Sequence, residues 1–277
     1  MTHGPARVSD RDRAAGSDGD PPSVSDRDAA STTNRDSARV GIAGPHDHPV
    51  FSTVAERLRD RGHEVTWFDP TEPIGTETLR GLSLFLAKRN RPASVRALAA
   101  AERLGVATWN SATSAMVCVH HVTQLCALAG VGFTVPPVTV DPPSGDYVAK
   151  DRFHWGGSPR VNGEGDVYEP LLDAAPTDFK YYAVDDGEGV AVTVVRATSK
   201  LHGEKRVLGT AEAKPGHVAR IEHLMDRLEV RGVGVDLVRV GDDWYAVDLN
   251  PCPSYAGAGM TDALVRSIES ALPRRSA

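Results

Sequence analysis

Three oxygen-bearing side chains near the end of the sequence, Asp236, Asp248 and Asn250, have the types and spacing of metal ligands. Asp236 and Asp248 fall in two runs of β-branched and aromatic residues, 233–240 and 244–249, which flank a Gly/Asp cluster, and Asn250 directly follows the second run. Runs of this kind around such a cluster predict two β-strands joined by a hairpin turn. The predicted hairpin therefore carries all three side chains.

The loop length decides which side chains share a face of this hairpin. With a three-residue loop centred on Asp242, Asp236 lies opposite Asp248, and Asn250, two residues farther along, points to the same face. The opposite face then forms an apolar core from Val235, Leu237, Val247 and Leu249.

The two opposed aspartates indicate a cation. At a Cβ separation of about 5 Å their carboxylates repel each other, and aspartate is disfavoured inside strands, so we expect positive charge between them. Carboxylate and amide oxygens suit Mg²⁺ or Mn²⁺, and a Mg²⁺ ion with few protein ligands usually shares its coordination with substrate phosphates. The alternative is a solvated hairpin with both aspartates at an exposed edge. Register and ligand chemistry agree, which favours the metal.

A phosphate-binding segment is predicted earlier in the chain. Lys150 ends the short strand 147–150, and Gly156 and Gly157 follow in a loop. A point charge on a rigid strand, together with the backbone N–H groups of a glycine loop, can cradle phosphates. A lysine before a glycine pair is a weak signal alone, and its place ahead of the hairpin strengthens it.

The order of predicted elements defines the fold class. Strands and helices alternate in the first half of the chain, with strands at 39–43, 64–68, 82–87 and 106–109 and helices at 50–60 and 93–104. Alternation with short links predicts parallel strands and right-handed crossovers, hence a small doubly wound α/β domain over 39–110. A linker helix is predicted over 111–130, capped by Ser111 and closed by Gly130.

Composition restricts the class of protein. The 277 residues are 40% apolar and 25% charged, and we expect neither a membrane span nor a secretory signal. Three cysteines without a CxxC pair argue against a disulfide framework or a zinc site, so a reducing cytoplasm is the expected location. A net charge of −6 disfavours nucleic acid as a partner. Residues 1–38 lack large apolar side chains and are predicted to be a disordered low-complexity tail.

The segments that could bind metal and phosphate resemble those of the ATP-grasp superfamily. Asp236, followed by Asp248-Leu249-Asn250 and a Pro/Gly loop, resembles its C-terminal metal-binding hairpin, which usually has Glu where this chain has Asp248. Lys150 and the glycine loop after it resemble the strand and lid with which these proteins hold ATP phosphates.

Two further segments carry the same resemblance. Glu169 to Leu171 resembles the hinge strand that recognises adenine, and Asp178 to Lys180 resembles the Asp-x-Arg/Lys motif of the ligases. Arg196 stands at the position from which members place an arginine near the transferred phosphate. The pattern is nearest to the carboxylate-amine ligases that include the glutamate ligases acting on ribosomal protein.

The resemblance implies a mixed α/β and α+β fold. The doubly wound domain would be followed by a two-part ATP-grasp domain, with a reduced lid subdomain over 131–172 and a C-terminal subdomain over 173–277. The lid is called reduced because under forty residues separate Gly130 from Glu169.

The resemblance also implies ATP and Mg²⁺ (or Mn²⁺) as cofactors and gives each residue a role. The implied nucleotide contacts are Lys150, Gly156, Gly157, Glu169, Leu171, Asp178 and His121. The implied metal ligands are Asp236, Asp248 and Asn250, and the implied catalytic residues are Arg196 and Lys180. His121 stands where the family usually has a phosphate contact, and a neutral helix-surface histidine is the alternative.

The function that the resemblance implies is a Mg-ATP-dependent ligase that joins a carboxylate to an amine through an acyl phosphate. The expected partners are small-molecule or peptide carboxylates and amines, with no nucleic acid and no membrane, and homo-oligomerisation is left open. One alternative is an ATP-dependent kinase of a polyol or phosphorylated substrate, served by Lys200, Lys205 and Arg206. The other is a non-catalytic nucleotide-binding protein.

Overall fold

A parallel sheet opens the chain. Its strands are β1 (Arg39–Ala43), β2 (Glu64–Phe68), β3 (Leu84–Ala87) and β4 (Ala107–Trp109), in the order β2-β1-β3-β4. The helices between them are α1 (Pro49–Asp60), α2 (Thr76–Arg80) and α3 (Pro92–Arg103). The side chains of β3 are all buried, as expected of a parallel strand covered on both faces. The doubly wound architecture predicted from the sequence is confirmed.

This computed structural model describes residues 37–199, 201, 204 and 206–273. The tail predicted over 1–38 lies almost wholly outside these residues, as do Lys200 and Lys205. The described residues fall within one compact unit, Arg35–Ala277, and the predicted boundaries between subdomains remain predictions. Within the described part of the chain, no helix combines the length and the apolar character needed to cross a bilayer.

Two helices stand where the sequence predicts one. Helix α4 (Ala112–Val119) begins as expected, with the Ser111 hydroxyl accepting from the Ser114 N–H at 3.1 Å, and α5 (His121–Gly130) follows it. Between them His120 is extended and forms an isolated β-bridge with Phe153. The helix is therefore interrupted where a neighbouring loop pairs with its backbone.

A small antiparallel sheet follows the helix pair. It contains β5 (Tyr147–Lys150), β6 (Arg160–Val161) and β7 (Val167–Pro170), in the order β6-β5-β7. The loop between β5 and β6 is the one that pairs with the helix break, since the His154 N–H donates to the Val119 carbonyl at 2.7 Å. Backbone hydrogen bonds thus join this sheet to α4.

The last sheet is antiparallel and has five strands in the order β10-β9-β8-β11-β12. Its elements are β8 (Thr177–Asp185), β9 (Val190–Thr198), β10 (Val207–Ala211), β11 (Gly232–Val240) and β12 (Asp243–Asn250), with α6 (Pro215–Leu228) before β11 and α7 (Thr261–Ala271) after β12. One face packs on α5 and α6, and the other packs on α7 and the first sheet. The sheet therefore has a separate core on each side.

The hairpin of β11 and β12 has a two-residue loop, so the predicted three-residue loop is wrong. Val240 pairs with Asp243, and Gly241 takes a φ of 58°, a conformation that favours glycine at a tight turn. With that turn alone, Asp236 would pair with Val247. A β-bulge at Val247 adds one residue and restores the pairing of Asp236 with Asp248.

The bulge also changes the predicted core of this hairpin. Ala246, not Val247, packs with Val235, Leu237 and Leu249 in the core against α6. Val247 instead lines a cavity. The prediction of Val247 as a core residue is wrong because residue alternation stops at a bulge.

Candidate active site

A cavity lies between the small antiparallel sheet and the five-stranded sheet. Strands β5 and β7 supply one wall, and β8, β11 and β12 supply the other. It gathers most of the site residues predicted from the sequence, namely His121, Lys150, Gly157, Glu169, Leu171, Asp178, Lys180, Asp236 and Asp248. We call it the acidic cavity, because the carboxylates that line it, which also include Asp151, outnumber its lysines.

Lys150 and Glu169 face each other in this cavity. The Lys150 ammonium lies 2.9 Å from Glu169 Oε2 and 3.1 Å from Oε1, and it also donates to the Val247 carbonyl at 3.0 Å. That carbonyl belongs to the bulge residue, so the irregularity in β12 supplies an acceptor for Lys150. The ammonium is held at the point where β5 meets the hairpin.

Glu169 is also the end of a buried hydrogen-bond chain. The Leu249 N–H donates to Gln124 Oε1, and Gln124 Nε2 donates to His121 Nδ1 at 2.8 Å. His121 Nε2 must then carry the proton that it donates to Glu169 at 2.5 Å. Burial by itself raises the pKa of Glu169, but this bond and the Lys150 charge outweigh it and leave the pKa below its usual value.

Asp248 pairs with a histidine of the loop between β5 and β6. His154 Nδ1 lies 3.5 Å from Asp248 Oδ1, and the Asp248 side chain is 24% exposed. Burial by itself raises the pKa of Asp248. The hydrogen bond and charge of His154, together with smaller effects of Lys150 and His121, outweigh burial and hold the pKa well below its usual range. Asp248 is therefore an ionised carboxylate at neutral pH.

Asp236 pairs with Lys180, its cross-strand neighbour on β8. The Lys180 ammonium also lies 3.7 Å from Asp178 Oδ2. Burial alone would lower the pKa of Lys180, but the two aspartates reverse that effect and raise it. For Asp178, burial raises the pKa despite the opposing charge of Lys180.

Asp236 and Asp248 have the chemistry of a Mg²⁺ site with few protein ligands. They are in register on one face of the hairpin, each side chain is 24% exposed, and both line the acidic cavity. Among the described residues no group of three His, Cys, Asp or Glu side chains could hold an ion. Two hard carboxylates therefore fit Mg²⁺ provided that the remaining ligands come from phosphate or water.

Asn250, the predicted third ligand, is not brought into this cavity. It pairs with Gly234 and so keeps the same hairpin face, but its Oδ1 accepts from the Cys252 N–H at 3.0 Å and its side chain lines an adjoining cavity. Gly156 lines that second cavity as well, whereas Gly157 lines the first.

Arg196, a predicted catalytic residue, is not brought into the acidic cavity. On β9 it pairs with Phe179, while its neighbour Val195 pairs with Lys180. Successive residues of a strand point to opposite faces, so Arg196 and Lys180 face opposite sides of the sheet. The Arg196 side chain is exposed there.

The predicted adenine contacts are partly occupied by the protein itself. The Leu171 N–H donates to the Asp146 carbonyl at 2.9 Å, so it is not free to bind a base. The Glu169 carboxylate is held by His121 and Lys150. The wall next to these residues is apolar and is formed by Val148, Leu171, Leu172, Ala174, Ala175 and Val238.

Two residues of this site were missed from the sequence. Gln124 is fully buried and joins β12 to His121, and its spacing of three from His121 on one helix face was the available signal. His154 lies in a loop whose sequence carries no such signal, because its position depends on the bridge between that loop and His120.

Comparison with solved structures identifies the fold of this chain. Solved structures of ATP-grasp ligases match it along most of their length, so the chain has the ATP-grasp fold, and the resemblance seen in the sequence is confirmed at the level of fold. The sequence matches no protein-family model and no curated protein.

Three of these structures illustrate the match. The ATP-grasp ligase PsnB, solved with a phosphomimetic precursor variant, Mg and ADP, is 20% identical over 85% of this chain and 99% of its own, with a TM-score of 0.60. The macrocyclase MdnC from Microcystis aeruginosa MRC, bound with precursor peptide MdnA, is 10% identical over 85% and 99%, with a TM-score of 0.61. N5-carboxyaminoimidazole ribonucleotide synthetase from Thermotoga maritima is 15% identical over 86% and 77%, with a TM-score of 0.63.

Proposed function

We propose that this protein is a Mg-ATP-dependent ligase that joins a carboxylate to an amine through an acyl phosphate. The observation that carries the proposal is the in-register pair Asp236 and Asp248, which opens into the same cavity as Lys150 and Lys180. The cavity thus contains both carboxylates for a divalent cation and ammonium groups for phosphates, as the binding of a nucleoside triphosphate with its metal requires.

Different parts of the acidic cavity suit different parts of the nucleotide. The apolar wall near Leu171 and Val238 suits a purine base, which binds through its flat apolar faces. Lys150 binds phosphate oxygens as a point charge. Asp248 and Asp236 would hold Mg²⁺, which neutralises the charge on phosphate oxygens when it is bound.

The ammonium groups of Lys150 and Lys180 act on the reaction by position and charge. A substrate carboxylate attacks the γ-phosphorus of ATP, which forms an acyl phosphate and releases ADP. An amine then attacks the acyl carbon, expels inorganic phosphate and loses a proton to solvent, which leaves an amide. Neither step needs a nucleophile from the protein.

The solved structures that share this fold support the proposed chemistry through the ligands they contain. PsnB was solved with Mg and ADP, and both PsnB and MdnC were solved with precursor peptides. A peptide carboxylate and amine are therefore the first substrates to test here. The kinase alternative has less support, since Arg206 is exposed and lies 3.8 Å from Glu204.

An isotope experiment tests the acyl phosphate. Acids with ¹⁸O in the carboxylate, such as glutamate, succinate and an acidic peptide, would be incubated with MgATP and an amine. The ligase reaction predicts ADP and inorganic phosphate that contains one ¹⁸O, because the attacking oxygen leaves with the phosphate. Phosphate without ¹⁸O, or a phosphorylated product formed without phosphate release, contradicts the proposal.

A further inference from the structure

A second cavity adjoins the acidic cavity and has the opposite charge. It lies beside the segment that links β3 to α3, in front of the loop that follows β12. Lys88, Arg89 and Arg91 line it, together with Asn90 and Asn250. Of the described residues that line it, none is acidic, and we call it the basic cavity.

The three cations of the basic cavity have no acidic partner in the described part of the chain. Lys88 donates to the Cys252 carbonyl at 3.0 Å, which leaves its charge uncompensated. Arg89 is exposed, and the guanidinium of Arg91 lies against Gly156, where a Cβ atom would come within 2.8 Å of it. Burial and the charge of Arg89 lower the pKa of both Lys88 and Arg91, as expected where positive charge is concentrated without counter-charge.

The two cavities share a wall. His154 lines both, and its pairing with Asp248 places it at the boundary. Gly156 faces the basic cavity and Gly157 faces the acidic one. A ligand in the basic cavity would therefore lie beside the phosphates of a nucleotide in the acidic cavity.

The lining of one cavity is rich in carboxylates and that of the other in cations, so the two cavities suit different ligands. The carboxylates and lysines of the acidic cavity suit a nucleotide together with a cation, whereas a cluster of cations without a carboxylate among the described lining residues suits an anion. The planar guanidinium of arginine can form two parallel hydrogen bonds to the oxygens of a carboxylate or phosphate. Two arginines therefore select such a group more specifically than a general positive potential would.

We propose that the basic cavity binds a second anionic group of the acid substrate, distinct from the carboxylate that is activated. The assignment rests on the proposed ligase function, which places the reacting carboxylate beside the γ-phosphate. The substrate is then an acid with at least two negative groups, the second being a carboxylate or a phosphate. Arg89 and Arg91 determine this specificity.

The test is direct binding of small anions at constant ionic strength. Succinate and inorganic phosphate would be titrated by calorimetry into the full chain in the presence of MgADP, with Arg89→Gln/Arg91→Gln compared with wild type. The double substitution should raise the dissociation constant about tenfold or more. Arg96→Gln, which changes an exposed arginine of α3 outside the cavity, is the matched control and should bind as wild type does.

The outcomes separate the anion site from the nucleotide site. Tighter binding of succinate indicates a polycarboxylic acid, and tighter binding of phosphate indicates a phosphorylated acid. The proposal fails if wild type binds neither anion, or if the double variant binds as tightly as wild type. If the double variant is unfolded by circular dichroism, Arg89→Gln alone decides by the same criterion, because Arg89 is exposed. Wild-type protein that binds an anion but not MgADP contradicts the proposed function, and the assignment to a substrate falls with it.

Discussion

Each aspartate of the hairpin lies beside a basic side chain of the protein. The opposition of Asp236 and Asp248 predicts positive charge nearby, and the structure places the Lys180 ammonium beside the first and the His154 imidazole beside the second. Lys180 is the cross-strand neighbour of Asp236, a pairing that residue types alone do not reveal because β8 and β11 are far apart in sequence. The need for charge was predictable, and its source was not.

Removing the ammonium of Lys180 should destabilise the fold. Lys180→Met leaves Asp236 and Asp178 in a largely buried site without their shared cation, which should lower the free energy of unfolding by about 3 kcal/mol. Urea denaturation measures this change. Adding Asp236→Asn should recover a large part of it, and a double variant no more stable than Lys180→Met would show that charge is not the cause.

The hairpin shows which parts of an element can be predicted. Both strands and the register of Asp236 with Asp248 agree with the prediction, although the loop length does not. The two-residue turn and the bulge at Val247 each shift the register by one, and the shifts cancel. Nothing in the residue types around Val247 indicates a bulge. The sequence pattern therefore predicts the correct face for Asp236 and Asp248 from an incorrect loop length.

The junction between β4 and α4 fastens the hairpin to the first sheet. Asn110 is buried, and its side-chain amide donates to the carbonyls of Gly232 at 2.8 Å and Pro251 at 2.5 Å. Its side-chain oxygen accepts from the Arg231 N–H at 2.7 Å. One side chain therefore holds the start of β11 and the loop after β12 together.

Asn110→Ala should cost about 3 kcal/mol or more of unfolding free energy, because it leaves several buried backbone groups without partners. Thermal or urea denaturation measures it. Asn162→Ala is the matched control, since Asn162 also has a positive φ but is exposed, and its loss should be no more than about 1 kcal/mol. Equal losses in the two variants would attribute the effect to backbone conformation instead.

Across the whole molecule, the order of elements was predictable and the faces of the last sheet were not. Alternating strands and helices sufficed for the parallel sheet, because crossover connections have one handedness. Arg196 was assigned to the site by its place in the chain, and strand alternation put it on the opposite face from Lys180. The strands β6 and β10 and the helix α2 were missed.

Two histidines, the partly buried His48 and the buried His217, should make the stability of the whole chain depend on pH. Burial, with the charge of Lys88, lowers the pKa of His48 to about 4, and burial, with Lys214 and Arg220, lowers the pKa of His217 to about 4. Between about pH 6.5 and 4 the unfolded chain binds protons at these sites that the native chain does not. The stability they contribute is therefore present above about pH 6.5 and lost as pH falls toward 4.

His217→Phe should make that loss smaller, by on the order of 1 kcal/mol between pH 7 and pH 4. Melting temperature as a function of pH measures it. His223→Gln, at an exposed position of the same helix, should retain the wild-type dependence. A His217→Phe profile that parallels wild type would rule out His217 as a source of the acid sensitivity.

Calorimetric titration of the full chain with ADP, with and without Mg²⁺, tests most directly whether the acidic cavity is a metal-nucleotide site. We expect binding that requires Mg²⁺ and that weakens about tenfold or more in both Asp248→Asn and Lys150→Ala. Asp242→Asn, which changes an exposed carboxylate at the turn of the same hairpin, should bind as wild type does. Equal affinity of wild type and Asp248→Asn for MgADP, with both proteins folded, would contradict the assignment of the hairpin as the metal site.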